Sequence, residues 1–178
     1  MQIIIMRKKF IDRLNEIVPK IYEDISELSN FSIKYKCCIK LEDYNEKNIV
    51  EKLKNMSEEL RNAEFKYKTT LFGPHKDDIE FYLKNYNLKL YGSQGQQRMA
   101  ILALKLAEIE IFKKYKNTLP ILLLDDVFSE LDDKKKNNLL NYINENIQTI
   151  ITTTDINNIN NNIVEKSNII EIFNGNLK

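Results

Sequence analysis

The chain has 178 residues, 27 basic and 26 acidic side chains and a formal net charge of +1, enough length for one domain with a core or a domain plus an appendage. Residues 1–68 carry 14 basic and 12 acidic side chains and residues 69–178 carry 13 and 14, so neither half has the basic excess that marks a nucleic-acid binder by charge alone. No signal peptide is visible and no apolar run nears the roughly 20 residues that span a bilayer; the expectation is a soluble, cytoplasmic chain without a membrane partner.

Ile4, Ile11, Leu14, Val18, Ile21, Ile25 and Leu28 recur at helical spacing, with Pro19 as a predicted kink or break. Phe31, Ile33, Tyr35, Cys37, Ile39 and Leu41 then alternate with Ser32, Lys34, Lys36, Cys38, Lys40 and Glu42, the pattern of a half-buried strand. On such a strand Cys37 and Cys38 point to opposite faces, which speaks against a bridge, and they have no metal-ligand spacing. Residues 46–64 return to helix. Ile49, Leu53, Met56, Leu60 and Ala63 form a seam of about two heptads, read as packing on a neighbouring element.

From residue 69 the texture changes. Gly73-Pro74 marks a turn, Ile79-Phe81-Leu83 alternates as a strand, Asn85–Asn87 is turn-like and Leu88–Tyr91 is a predicted second strand of a hairpin. Residues 94–115 form a helix whose Met99–Leu104 segment is apolar almost all round, hence buried. A strand at 121–124, a helix near 133–145, a strand at 149–152, an asparagine-rich stretch from Asn157 to Asn162 and a last strand at Ile169–Phe173 complete an α/β order.

Two constellations carry chemistry. Residues 121–133 run from four apolar residues into Asp125 and Asp126 and then Ser129–Asp132. So short an apolar run predicts a strand buried on both faces in a parallel sheet, and acids at its carboxyl end stand where open α/β sheets place ligands. Carboxylates there suit a phosphate-bound magnesium ion. The second is Tyr91–Arg98, which opens the buried helix. Ser93 and Gln96 have the spacing of a capping box. Gly95, in the first turn, costs about 1 kcal/mol relative to alanine and bares the backbone, as an anion site at a helix start requires.

Ser-Gln-Gly-Gln-Gln-Arg resembles the signature motif of ABC-type ATPases, Ile121–Asp126 their Walker B strand, Ser129–Asp132 their D-loop, and Thr152–Asp155 the switch segment. Together with Gly73–Asp78, these motifs resemble the RecF family of bacterial DNA replication and repair proteins, over essentially the whole chain and most specifically over residues 69–155. The resemblance implies an α/β fold: the C-terminal lobe of an ABC-type head at 69–178, with part of a helical lever arm at 1–68. It implies ATP sandwiched between two protomers. Ser93, Gln94, Gly95 and Gln96 would face the γ-phosphate held by the opposite protomer, and Asp125 would bind Mg2+. Asp126 would orient the attacking water, Asp132 would reach across the interface, and Thr154 would stand at the switch position.

For the complete protein it further implies ATP-dependent dimerisation on DNA at single-strand gaps and loading of recombinase, with RecO and RecR as partners. Aspartate at 126, where glutamate is usual, implies slow turnover, and Thr154 replaces a histidine. No Gly-x-x-x-x-Gly-Lys-Ser/Thr segment occurs in the sequence, so the chain alone is expected not to hydrolyse ATP, to need a P-loop-bearing N-terminal half, and to expose apolar surface or self-associate. Alternatives are part of an SMC-like or transporter ABC ATPase, or a non-catalytic, regulatory or decayed product. His75 with Asp77 and Asp78 reads either as a metal site or as a hydrogen-bonded loop.

Overall fold

A computed structural model describes residues 1–40, 44–116, 119–129, 131–143, 147–156 and 159–177. Helix α1 (Gln2–Ser26) lays the predicted apolar stripe, Ile11 to Ile25, on the main core. Pro19 lies inside it without breaking it, because Val18, Ile21 and Tyr22 on either side are fully buried and pin both halves to the same surface. Each such side chain contributes roughly 1.5–3 kcal/mol when buried, comparable with the cost of an interior proline.

Strand β1 (Phe31–Lys36) ends six residues short of the predicted alternation. The chain bends at Cys38–Ile39, and Leu41 and Glu42 lie outside the described residues. The register matches the stop: β1 pairs antiparallel with β2 (Asp78–Leu83) from Phe31 opposite Leu83 to Lys36 opposite Asp78, the residue at which β2 begins after the Pro74–Lys76 turn. Helix α2 (Glu46–Tyr67) is capped by the Asn45 side chain, which accepts from the Asn48 amide at 2.9 Å. Among the described residues its seam joins a buried cluster at its start. Ile49 is buried with Ile4 and Ile39, and Leu53 and Met56 cover that small cluster.

After β2 the turn falls on Lys84-Asn85, and β3 (Tyr86–Asn87) pairs back onto Tyr82 and Leu83. The predicted strand at Leu88–Tyr91 is instead a helical turn, α3. The Asn87 side chain accepts from the Lys89 amide, an N-cap that turns the chain away from the sheet. Helix α4 (Gln94–Lys116) packs along α1 and buries Met99, Ala100, Leu102 and Ala103, but Ile101 is 48% exposed, so it is not sheathed all round.

Strands β4 (Leu122–Asp125) and β5 (Thr149–Thr152) run parallel, Asp125 opposite Thr152. Here the expectation of a strand buried on both faces fails. Leu122 and Leu124 face the core, whereas Leu123 is 69% exposed and Ile150 on β5 is 52% exposed. Among the described residues this sheet has two strands and a single covered face. Helix α5 (Asp133–Ile143) buries Leu139, Leu140 and Ile143, and residues 144–145 of its predicted span lie outside the described residues. Asn157 and Asn158 of the asparagine-rich stretch also lie outside them, and Asn161–Glu165 is a short helix, α6. The last predicted strand shrinks to β6 (Ile172–Phe173), in a hairpin with β7 (Asn176–Leu177). Among the described residues no helix is long and apolar enough to cross a membrane.

Candidate functional site

The start of α4 is built as a reciprocal cap. The Ser93 amide donates to Gln96 Oε1 at 2.9 Å, and the Gln96 amide donates to Ser93 Oγ at 3.2 Å. Gln97 Nε2 donates to the carbonyls of Leu88 and Gly92, at 2.9 and 3.0 Å, which fixes the approach to the helix. Gly92 permits that approach: a Cβ there would stand 2.6 Å from the Leu88 carbonyl oxygen. Ser93 Oγ acts as an acceptor in this cap, leaving its proton to be donated outward.

Asp125 ends β4. The Thr152 hydroxyl donates to Asp125 Oδ1 and accepts from the Asp126 amide at 3.1 Å, so β5 steadies both acids. Asp126 itself is left-handed, with φ 46, a conformation that costs a non-glycine residue about 1 kcal/mol or more. Two donors hold it: Arg98 Nη2 at 2.9 Å and Ser129 Oγ at 3.1 Å both reach the Asp126 carbonyl. Arg98 Nη1 also donates to Ser129 Oγ at 3.2 Å. Arg98 and Thr152 are the residues to which the sequence reading gave no role. Arg98 closes the Gln-Gln-Arg segment, where a planar five-donor side chain was the available clue.

A shallow cavity of about 470 Å³ is lined by Gln94, Gln97, Arg98, Ile101, Leu102, Asp125 and Val127. It brings the opening of α4 and the end of β4 onto one surface. Asp132 serves locally as the cap of α5, Oδ1 accepting from the Lys135 amide at 2.9 Å. The Lys135 ammonium and amide hold its carboxyl below the usual aspartate range. Glu130, inside the D-loop-like segment, lies outside the described residues. Thr154 is exposed two residues beyond β5, and it is Thr152 that bonds Asp125.

The Gly73–Asp78 segment forms a separate constellation. Gly73 has φ 120, outside the range of other residues, and opens a 3-10 turn at Pro74–Lys76. His75 Nε2 meets Thr70 Oγ1 at 2.8 Å, Asp78 Oδ1 accepts from the Ile79 amide at 2.8 Å, and Asp77 turns inward. The three residues therefore diverge instead of converging on a metal. Asp77 Oδ1 accepts from the Cys38 amide at 2.7 Å, and Oδ2 accepts from the Tyr35 hydroxyl and from Arg7 Nη1 at 3.3 Å. Its side chain is 1% exposed.

Residues 44–176 match the family described as "Uncharacterised protein conserved in bacteria (DUF2326)". The chain belongs to this family. It also matches the C-terminal part of RecF. A "DNA replication and repair protein RecF" from Lysinibacillus sphaericus is 42% identical over 176 residues, 98% of this chain and 47% of that protein. The RecF of Acetivibrio thermocellus is 46% identical over 156 residues, 86% of this chain and 42% of its own length. The chain thus spans about half the length of the curated relatives it matches.

Among solved structures, the recombination mediator protein RecF-ATPrS in the RecFOR pathway aligns with TM-score 0.76 and 33% identity, covering 99% of this chain and 46% of that one. An SMC ATPase structure aligns with TM-score 0.51 at 15% identity, covering 98% and 85% of the two chains, and shares the fold alone. The fold is therefore that of the C-terminal lobe of an ABC-type ATPase head, as the motifs imply.

Proposed function

We propose that this chain supplies the signature and Walker B lobe of a RecF-like DNA-repair ATPase. Residues 1–68 are its lever-arm portion and 69–178 its head portion, two parts joined through β1, β2 and a common core. Identity of 42% to a RecF protein, against 15% to an SMC ATPase, favours RecF over the SMC-like alternative. The observation that carries the mechanism is the cavity onto which both Gln94 and Asp125 open.

In this reading the Ser93 hydroxyl, the amides of Gln94 and Gly95 and the Gln96 side-chain Nε2 present donors, and with them the positive end of α4, to the γ-phosphate of ATP held by a second protomer. Asp125, with Oδ1 occupied by Thr152, keeps Oδ2 for a cation. That oxygen-only donor set, exposed at a strand end, fits Mg2+. When bound, the ion neutralises charge on the phosphoryl oxygens. Asp126, steadied by Arg98, orients the attacking water. Asp132 meets the opposite protomer, and the Thr154 hydroxyl reaches a phosphate oxygen. Positioning and charge stabilisation are most of what phosphoryl transfer needs.

The P-loop comes from an N-terminal half whose strands seat on the bare β4–β5 face, where Ile121, Leu123 and Ile150 are 57%, 69% and 52% exposed. ATP-dependent dimers on gapped DNA, recombinase loading and contacts to RecO and RecR belong to that assembled protein. The test is to mix this chain with a P-loop-bearing N-terminal half and measure mass by light scattering with and without ATP and Mg2+. Dimers that need both halves and ATP, and that are lost in Ser93→Arg, are expected. Assembly indifferent to ATP, or unaffected by Ser93→Arg, overturns the proposal.

A further inference from the structure

The strand pattern separates the two cysteines, but the structure does not. β1 ends at Lys36, opposite Asp78, so Cys37 and Asp77 are the residues next to the last pair of the ladder. The bend that follows turns Cys38 to the same side. One ligand atom each from Cys37, Cys38 and Asp77 then lie within 4.8 Å of one another, all three residues half-buried. Both thiols are free. We propose that Cys37, Cys38 and Asp77 bind a thiophilic divalent cation, zinc, and staple the end of β1 to the Gly73–Asp78 loop.

Three properties favour this ion. Two thiolates and one carboxylate are a zinc donor set and a poor one for magnesium or calcium, which take oxygen ligands. The spacing needs little adjustment, because ligands of a tetrahedral zinc stand about 3.5–3.8 Å apart at ordinary Zn–S and Zn–O lengths. The carboxylate is also pre-positioned. Tyr35, Arg7 and the Cys38 amide hold Asp77 from three sides, and its side chain is 1% exposed. Such outer partners fix ligand direction in metal sites. The Cys38 amide donates to Oδ1, and the Cys38 thiol also hydrogen-bonds this carboxylate, a contact that the metal–sulfur bond would replace. Water completes the fourth position. Each thiol gives up its proton to solvent as the metal–sulfur bond forms, and no redox change is involved.

The test uses the whole chain, reduced and freed of metal, titrated with Zn2+ against a chromophoric chelator and separately with Co2+. One zinc per chain and a thiolate-to-cobalt charge-transfer band are expected. Cys37→Ser and Cys38→Ser should each weaken binding by at least about tenfold, and Tyr35→Phe by about tenfold, with helix content by circular dichroism unchanged. The serine variants carry the test if Asp77→Asn fails to fold. Zinc held equally well by the Cys37→Ser/Cys38→Ser double variant, a cobalt spectrum without the charge-transfer band, or no binding in competition with the chelator overturns the proposal.

Discussion

Arg98, in the second turn of α4, donates to the main-chain carbonyl of Asp126 at 2.9 Å, across 28 residues of sequence. One guanidinium thereby ties the signature-like helix to the acid that follows the Walker B-like strand β4. Replacing Arg98 with alanine should cost about 1 kcal/mol of stability in urea unfolding, the scale of a partly exposed hydrogen bond. In the ATPase proposed above it should lower kcat more than it raises KM, because the loss would fall on the placement of Asp126 and not on ATP binding. Arg98→Lys should not restore kcat, since a single ammonium cannot serve both the Asp126 carbonyl and Ser129 Oγ.

Thr152 both donates to Asp125 and accepts from the Asp126 amide. Thr152→Val keeps the shape and removes both bonds. Denaturant unfolding should show a loss of about 1–2 kcal/mol, and Thr152→Ser should recover most of it.

Asp77 is a different case because its side chain is 1% exposed. Asp77→Ala would leave the Tyr35 hydroxyl and the Cys38 amide without their acceptor, a loss of about 3 kcal/mol by urea midpoint. Arg7→Ala should cost far less, since its own side chain is 45% exposed.

Tyr142, on α5, has its phenol pushed up to about 12 from the ordinary 10.0, by burial first and then by Glu110 and Asp24. A folded-state value above the unfolded one means that the folded chain binds the proton more tightly. The stabilisation is full below pH 10 and is lost as pH rises from 10 to about 12. The urea midpoint should fall across that window in the wild-type chain and fall less steeply in Tyr142→Phe.

The uncovered β4–β5 face should make the chain associate with itself. Light scattering at rising concentration should show oligomers, and Leu123→Asp with Ile150→Asp should return it toward monomer, because both side chains are more than half exposed.

The local order of helices and strands was legible because it follows from periodicity, and α4 and β4 begin close to where their patterns say. What periodicity cannot carry is what lies on the other side of an element. Ile121–Leu124 reads as doubly buried, yet only alternate residues meet the core, since the covering layer is no part of the pattern. Leu88–Tyr91 alternates like a strand, but an asparagine cap one residue earlier decides the backbone. Cys37 and Cys38 were assigned opposite faces by a strand that ends just before them. Asp125 and Asp126 were visible as a motif. Arg98 and Thr152 were not, because their roles exist only once α4, β4 and β5 are side by side.

Helix α1 lies against α4 for much of its length and also touches α5, while its Asn15 side chain brackets the Ile33 peptide with bonds of 2.7 and 2.8 Å. Residues 2–26 are accordingly poor material for grafting. A chimera that exchanges this helix between distant relatives would have to bring the matching α4 surface with it, whereas the outer turns of α2, where little is packed, could be lengthened or trimmed with small penalty.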